Sequence, residues 1–126
     1  MPSLRPVDDQ PIWLRTRSGP MLSVPYPIEL NDMGVAINRR ESAEVFADMI
    51  VGQFDEMIRQ CESNPLVMNV SVHPFIFGQP FRVNRLRKAL VHCRQHAQAA
   101  RVWWTSPGAI SEHCHALPPG TLPGSP

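Results

Sequence analysis

The chain has 126 residues, room for one small domain, with 43% hydrophobic and 18% charged residues, too apolar a balance for a disordered polypeptide. Its formal net charge is +1, so no global field directs it to nucleic acid or to an acidic surface. No apolar run approaches the roughly 18 residues of a membrane span, and the start carries no apolar stretch of signal-peptide type, so a cytoplasmic location is expected.

Proline is the outlier at 14 residues, six of them before residue 28 and four in the last nine. Residues 1–20 therefore read as a Pro-rich N-terminal loop, with at most a short strand at 12–14. Residues 21–115 read as the structured domain, and 116–126 as a disordered Pro/Gly tail. Within the domain, 21–24 reads as a short strand ended by Pro25 and Pro27. Ser42 suits an N-cap and Glu44 the positive end of a helix dipole. After it Val45, Phe46, Met49, Ile50, Phe54, Met57, Ile58 and Cys61 recur at three- and four-residue steps. That periodicity predicts an amphipathic helix of about 20 residues.

Pro65 follows, then 66–72 is a near-continuous apolar run rich in β-branched residues, the pattern of a strand buried on both faces. Val83, Leu86, Leu90, Cys93 and Ala97 predict a second helix over about 82–99. Residues 101–104 read as a short strand, and Pro107 opens a last small helix reaching His113. Alternation of this kind predicts an α/β fold with a parallel sheet and helices outside it. Three such units do not close a barrel, which typically takes about 250 residues. The chain reads as part of a barrel.

A string of motifs runs through the same stretch: Asp8-Asp-Gln-Pro11, Val24-Pro-Tyr-Pro-Ile-Glu-Leu-Asn-Asp32, Val72-His-Pro74, Gly78-Gln-Pro-Phe-Arg82, Leu86-Arg-Lys-Ala-Leu90 and Val102-Trp-Trp-Thr-Ser-Pro-Gly108. In order and spacing it resembles the C-terminal part of the polysaccharide deacetylase family, in the branch that includes cofactor-independent allantoinases. The resemblance implies the C-terminal portion of a distorted (β/α) barrel, about three β/α units. It also implies hydrolysis of a non-peptide C–N bond, in N-acetylated sugars or allantoin-like ureides. His73 matches the late-strand histidine that protonates the leaving nitrogen, and an imidazole suits that work. Tyr26, Asn31 and Asp32 fall on a loop at the same face and are the candidate substrate-binding residues. Asn31 and Asp32 read equally well as turn caps.

The family's metal ligands and general base belong to an N-terminal half with no counterpart in this sequence. Zinc or a similar ion is thus implied only for a full-length relative, and no metal or other cofactor for this chain. Asp8-Asp9 falls downstream of where the family's metal site would begin. His92-Cys-Arg-Gln-His96 has helical His-x-x-x-His spacing but no adjacent Glu and the wrong place in the motif order, so it reads as surface. His113 and His115, at a fraying helix end, read the same way. Cys61, Cys93 and Cys114 are odd in number and widely spaced, as expected of reduced, packed thiols. Arg82, Arg85, Arg87, Lys88 and Arg94 lack interleaved aromatics and read as a solvated helix face; no nucleic-acid or membrane partner is expected. Trp103 and Trp104 are adjacent on a strand, so one is expected to face the core and the other the opposite layer.

Two functions remain. The chain is a C-terminal fragment of an amide hydrolase, inactive alone because it lacks the base, whose partners are its small substrate and the missing N-terminal half. Alternatively it is a non-enzymatic module that associates, with itself or another chain, through exposed sheet edges.

Overall fold

The computed structural model describes residues 9–126, so Asp8 of the Asp8-Asp9 pair and the prolines at 2 and 6 lie outside the described residues. Strands β1 (Ile12–Thr16) and β2 (Gly19–Ser23) form an antiparallel hairpin in which Ile12 faces Ser23 and Thr16 faces Gly19. The chain reverses at Arg17-Ser18: the Thr16 hydroxyl donates to the Gly19 carbonyl at 2.6 Å and accepts from the Ser18 N–H at 3.2 Å. Gly19 has φ 117°, open to glycine and costly for other residues. The short strand expected at 12–14 is present and runs on to Thr16, replacing part of the expected loop, and the strand expected over 21–24 in a parallel sheet pairs antiparallel instead. Pro20, read from the sequence as a break, sits inside β2 opposite Arg15, as an edge strand tolerates.

The first amphipathic helix, α1 (Ala43–Gln60), matches the expectation closely. The Ser42 hydroxyl accepts from the Val45 N–H at 3.2 Å, and Phe46, Ala47, Ile50, Phe54, Met57 and Ile58 form the buried stripe. Ahead of it, a π-helical turn, Met33–Asn38, buries Val35 and Ala36. A four-residue helix, α2 (Pro74–Phe77), precedes α3 (Pro80–Gln95), which ends earlier than its periodicity suggests. A 3₁₀ turn, Ala99–Arg101, and α4 (Pro107–His115) complete the helices. The core lies where α1 crosses α3, with Phe46, Ile50, Val35, Ile76, Phe77 and Cys93 almost completely excluded from water. Gly52 lies on the exposed face of α1, and a methyl group there would meet nothing within 4 Å. Gly52→Ala is therefore expected to stabilise the chain by about 1 kcal/mol, read as a raised urea midpoint with unchanged slope.

The two inner strands expected of a parallel sheet are present as extended chain without ladders. Over 66–72 a single parallel bridge joins Asn31 to Ser71, with the Ser71 N–H donating to the Leu30 carbonyl at 2.9 Å and the Asp32 N–H to the Ser71 carbonyl at 3.1 Å. Prolines 25 and 27 shorten the neighbouring segment, and residues 66–71 are half-buried instead of covered on both faces. Residue 101 is taken up by the 3₁₀ turn, and 102–106 follows as extended chain outside any strand. Trp103 and Trp104 are 56% and 44% exposed, so neither faces the core. Trp104 stacks under the Arg94 guanidinium and Trp103 meets His113 edge-on. The tail, expected to be disordered, folds back in turns on β1: Leu122 is buried and the Trp13 N–H donates to the Pro123 carbonyl at 2.9 Å.

Candidate functional site

Asp32 and His73 meet across the two halves of the described chain. The extended run 66–72 delivers His73 to the N-terminal end of α2, where Pro74 starts the helix with its fixed φ. The bridge at Ser71 brings Asn31 and Asp32 alongside. Asp32 is wholly buried, and the His73 main-chain N–H donates to its Oδ2 at 2.7 Å. The His73 ring nitrogen Nδ1 lies 2.6 Å from the other oxygen, Oδ1. A carboxylate offers only acceptors, so Nδ1 carries the hydrogen of this bond. The neutral ring then has a bare Nε2, and the side chain is 38% exposed. The arrangement presents one imidazole nitrogen to solvent in a fixed orientation, able to take up a proton and give it back.

Asp32, expected on the substrate side, thus has both oxygens turned to His73. Asn31 is held in a turn: its Oδ1 accepts from the Met33 N–H at 3.0 Å, while its carbonyl accepts from Val35 N–H at 3.1 Å. Tyr26 is 66% exposed and makes no hydrogen bond or ring contact among the described residues. The structure therefore brings His73, Asp32 and the Asn31 backbone together and leaves Tyr26 apart. Phe75, which the motif reading passed over, places its ring edge-on to His73 with centroids 5.7 Å apart. Its signal in the sequence was an aromatic two residues after a candidate catalytic group.

A cleft lies elsewhere. It has a volume of about 570 Å³ and is lined by apolar side chains that include Phe54, Ile58, Val70, Leu90, Trp104 and Ile110, and not by His73. No group of three or more histidine, cysteine or acidic side chains among the described residues is placed to hold a metal ion. His92 and His96 instead turn toward Asp55, with His92 Nε2 at 2.8 Å and His96 Nε2 at 3.8 Å from its Oδ1. All three cysteines are free, and burial pushes the Cys93 thiol up to about 11, with the charge of Asp55 adding to the effect.

Neither a family model nor a curated protein sequence matches this chain. Solved structures do, two among them as follows. Puue allantoinase superposes with a TM-score of 0.77 at 26% identity, over 86% of this chain and 36% of its own. A probable polysaccharide deacetylase from Pseudomonas aeruginosa PAO1 superposes with a TM-score of 0.71 at 25% identity, over 86% of this chain and 36% of its own. The chain resembles the C-terminal part of a polysaccharide deacetylase-like domain. It spans 36% of the length of the two neighbours, and its mixed helix-and-sheet architecture agrees with their fold. No helix among the described residues is long and apolar enough to cross a membrane.

Proposed function

We propose that this chain is the acid-bearing C-terminal portion of a deacetylase- or allantoinase-like hydrolase, completing a (β/α) barrel of which it supplies about three units. The carrying observation is the buried Asp32 carboxylate that grips His73 at both its main-chain N–H and its Nδ1. In the completed domain a protonated Nε2 donates to the leaving nitrogen as the C–N bond of an amide or ureide breaks. Asp32 is the positioning residue that keeps the proton-transferring nitrogen outward, as carboxylates do behind general acid histidines. Asn31, its Oδ1 held by the Met33 N–H, offers its side-chain NH₂ to the substrate, whereas Tyr26 stands apart from His73 and is given no role. The substrate is an N-acetylated sugar or an allantoin-like ureide. The attacking water is activated by groups outside this sequence, so the chain alone is inactive. Any zinc or similar ion of the parent has its ligands outside this chain as well, and no step performed by His73 runs through it.

The test is a graft of residues 9–116 in place of the matched stretch of Puue allantoinase, assayed for allantoin hydrolysis. Activity that falls about a hundredfold or more on His73→Gln supports the reading. A folded, active graft indifferent to that substitution sinks it.

One observation favours the second reading, edge pairing. The main-chain N–H groups of Met68, Val70 and Val72, on the edge away from Asn31, find no main-chain partner among the described residues. An uncharged edge of this kind is a template for another strand. If it pairs with a second copy, sedimentation shows a dimer that Val70→Pro dissociates; a monomer at all concentrations removes this reading.

A further inference from the structure

We propose that Gly78 is a positioning residue for His73, and that Arg82 is the second half of the same clamp. This rests on the reading of His73 as the acid, but its test reads the ring itself and not catalysis. The turn that follows His73 is tied to it directly: the N–H groups of Ile76 and Phe77 both donate to the His73 carbonyl at 3.0 Å. Ile76 and Phe77 are buried in the core, whereas Pro74 and Phe75 are exposed. The turn thus has one end packed in the core and one end open to solvent, and His73 adjoins the open end, held there by Asp32.

Gly78 closes this turn at the point of tightest approach. A Cβ at position 78 would lie 2.3 Å from the Pro74 carbonyl oxygen and 3.0 Å from the Pro74 carbonyl carbon and Cα. Those are main-chain atoms, so no side-chain rotation relieves the overlap. Gly78 has φ −79°, an ordinary value, so the need for glycine here is one of space and not of conformation. With Ile76 and Phe77 fixed by close packing, the displaced atoms are those of Pro74 and, through its peptide bond, His73. Arg82 acts from the next helix. Its Nη1 donates to the Ile76 carbonyl at 3.3 Å, while its guanidinium lies 4.5 Å from the Phe81 ring centre. The Gln79 side-chain amide donates to the Phe75 carbonyl at 3.3 Å. The short helix is thereby closed from its C-terminal side.

The consequence is specific to one nitrogen. The 2.6 Å bond from Nδ1 to Asp32 holds the ring in the Nδ1–H form only while His73 stays in register with a carboxylate that is itself fixed in the interior. A shift of the His73–Pro74 peptide lengthens that bond, and an unheld neutral imidazole moves toward the Nε2–H form it favours in water. The 126-residue chain, ¹⁵N-labelled and held at a pH well above the ordinary histidine range, reports this in long-range ¹H–¹⁵N spectra, with His73→Gln assigning the signal. The parent is expected to show His73 predominantly as Nδ1–H. Gly78→Ala is expected to make that form the minority, and Arg82→Gln to move the balance the same way by less. Gly52→Ala, a glycine-to-alanine change in open space, is expected to leave it unmoved. A folded Gly78→Ala chain with an unchanged His73 signal overturns the proposal, even if its melting temperature falls. Should Gly78→Ala not fold, Arg82→Gln decides: an unchanged signal there overturns it equally.

Discussion

Asp32→Ala is expected to lower the unfolding free energy of the chain by about 3 kcal/mol, a large share of what a small domain has. Asp32 is the one buried charged residue among the described residues, and its side chain is wholly shielded from solvent. Its two oxygens satisfy two donors of His73 at 2.7 and 2.6 Å, one of them a main-chain N–H. Alanine removes both acceptors at once and leaves a cavity, so the loss combines two charge-assisted hydrogen bonds with unfilled space. Asp32→Asn separates these parts. It keeps the shape and one acceptor for the main-chain N–H, but sets an amide NH₂ against Nδ1. The smaller loss of stability is then accompanied by inversion of the ring to the Nε2–H form. Urea unfolding of the two variants checks the order, and equal midpoints for parent and Asp32→Ala would contradict it.

That arrangement was only half visible in the sequence. His73 stood out because an apolar run ended at it and because the surrounding motifs have a known order. Asp32 lies 41 residues earlier, and nothing local tells whether such a carboxylate faces solvent or the histidine. The deciding contact is the bridge between Asn31 and Ser71, a tertiary event that periodicity does not report. α1 was legible for the opposite reason: its stripe of Phe46, Ile50, Phe54 and Ile58 and its Ser42 cap are all local. The exposure of Trp103 and Trp104 is not legible from alternation along a strand, which presupposes a second layer. The chain spans 36% of its structural neighbours, and both indoles stand exposed. The hairpin was missed because Pro20 reads as a break, although an edge strand accommodates it opposite Arg15.

Phe46→Ala should be the most damaging single change in the core, at about 4 kcal/mol. Phe46 is fully buried on α1, and its ring meets that of Phe77 with centroids 4.6 Å apart and planes tilted by 56°. The contact matters beyond its area, because Phe77 belongs to the turn whose N–H groups hold the His73 carbonyl. Truncating Phe46 leaves the Phe77 ring unpacked on one side, and the anchored end of that turn loosens. A double-mutant cycle of Phe46→Leu and Phe77→Leu should show a coupling of about 1 kcal/mol, the part due to ring against ring. The same variants carry a second readout: as the anchor loosens, the Nδ1–H share of His73 falls, though neither substitution touches the imidazole. If Phe46→Leu lowers stability while the His73 signal stays as in the parent, the core holds the helices together without holding the site. Coupled loss of both would mean that the packing of α1 on α2 is what aims the histidine.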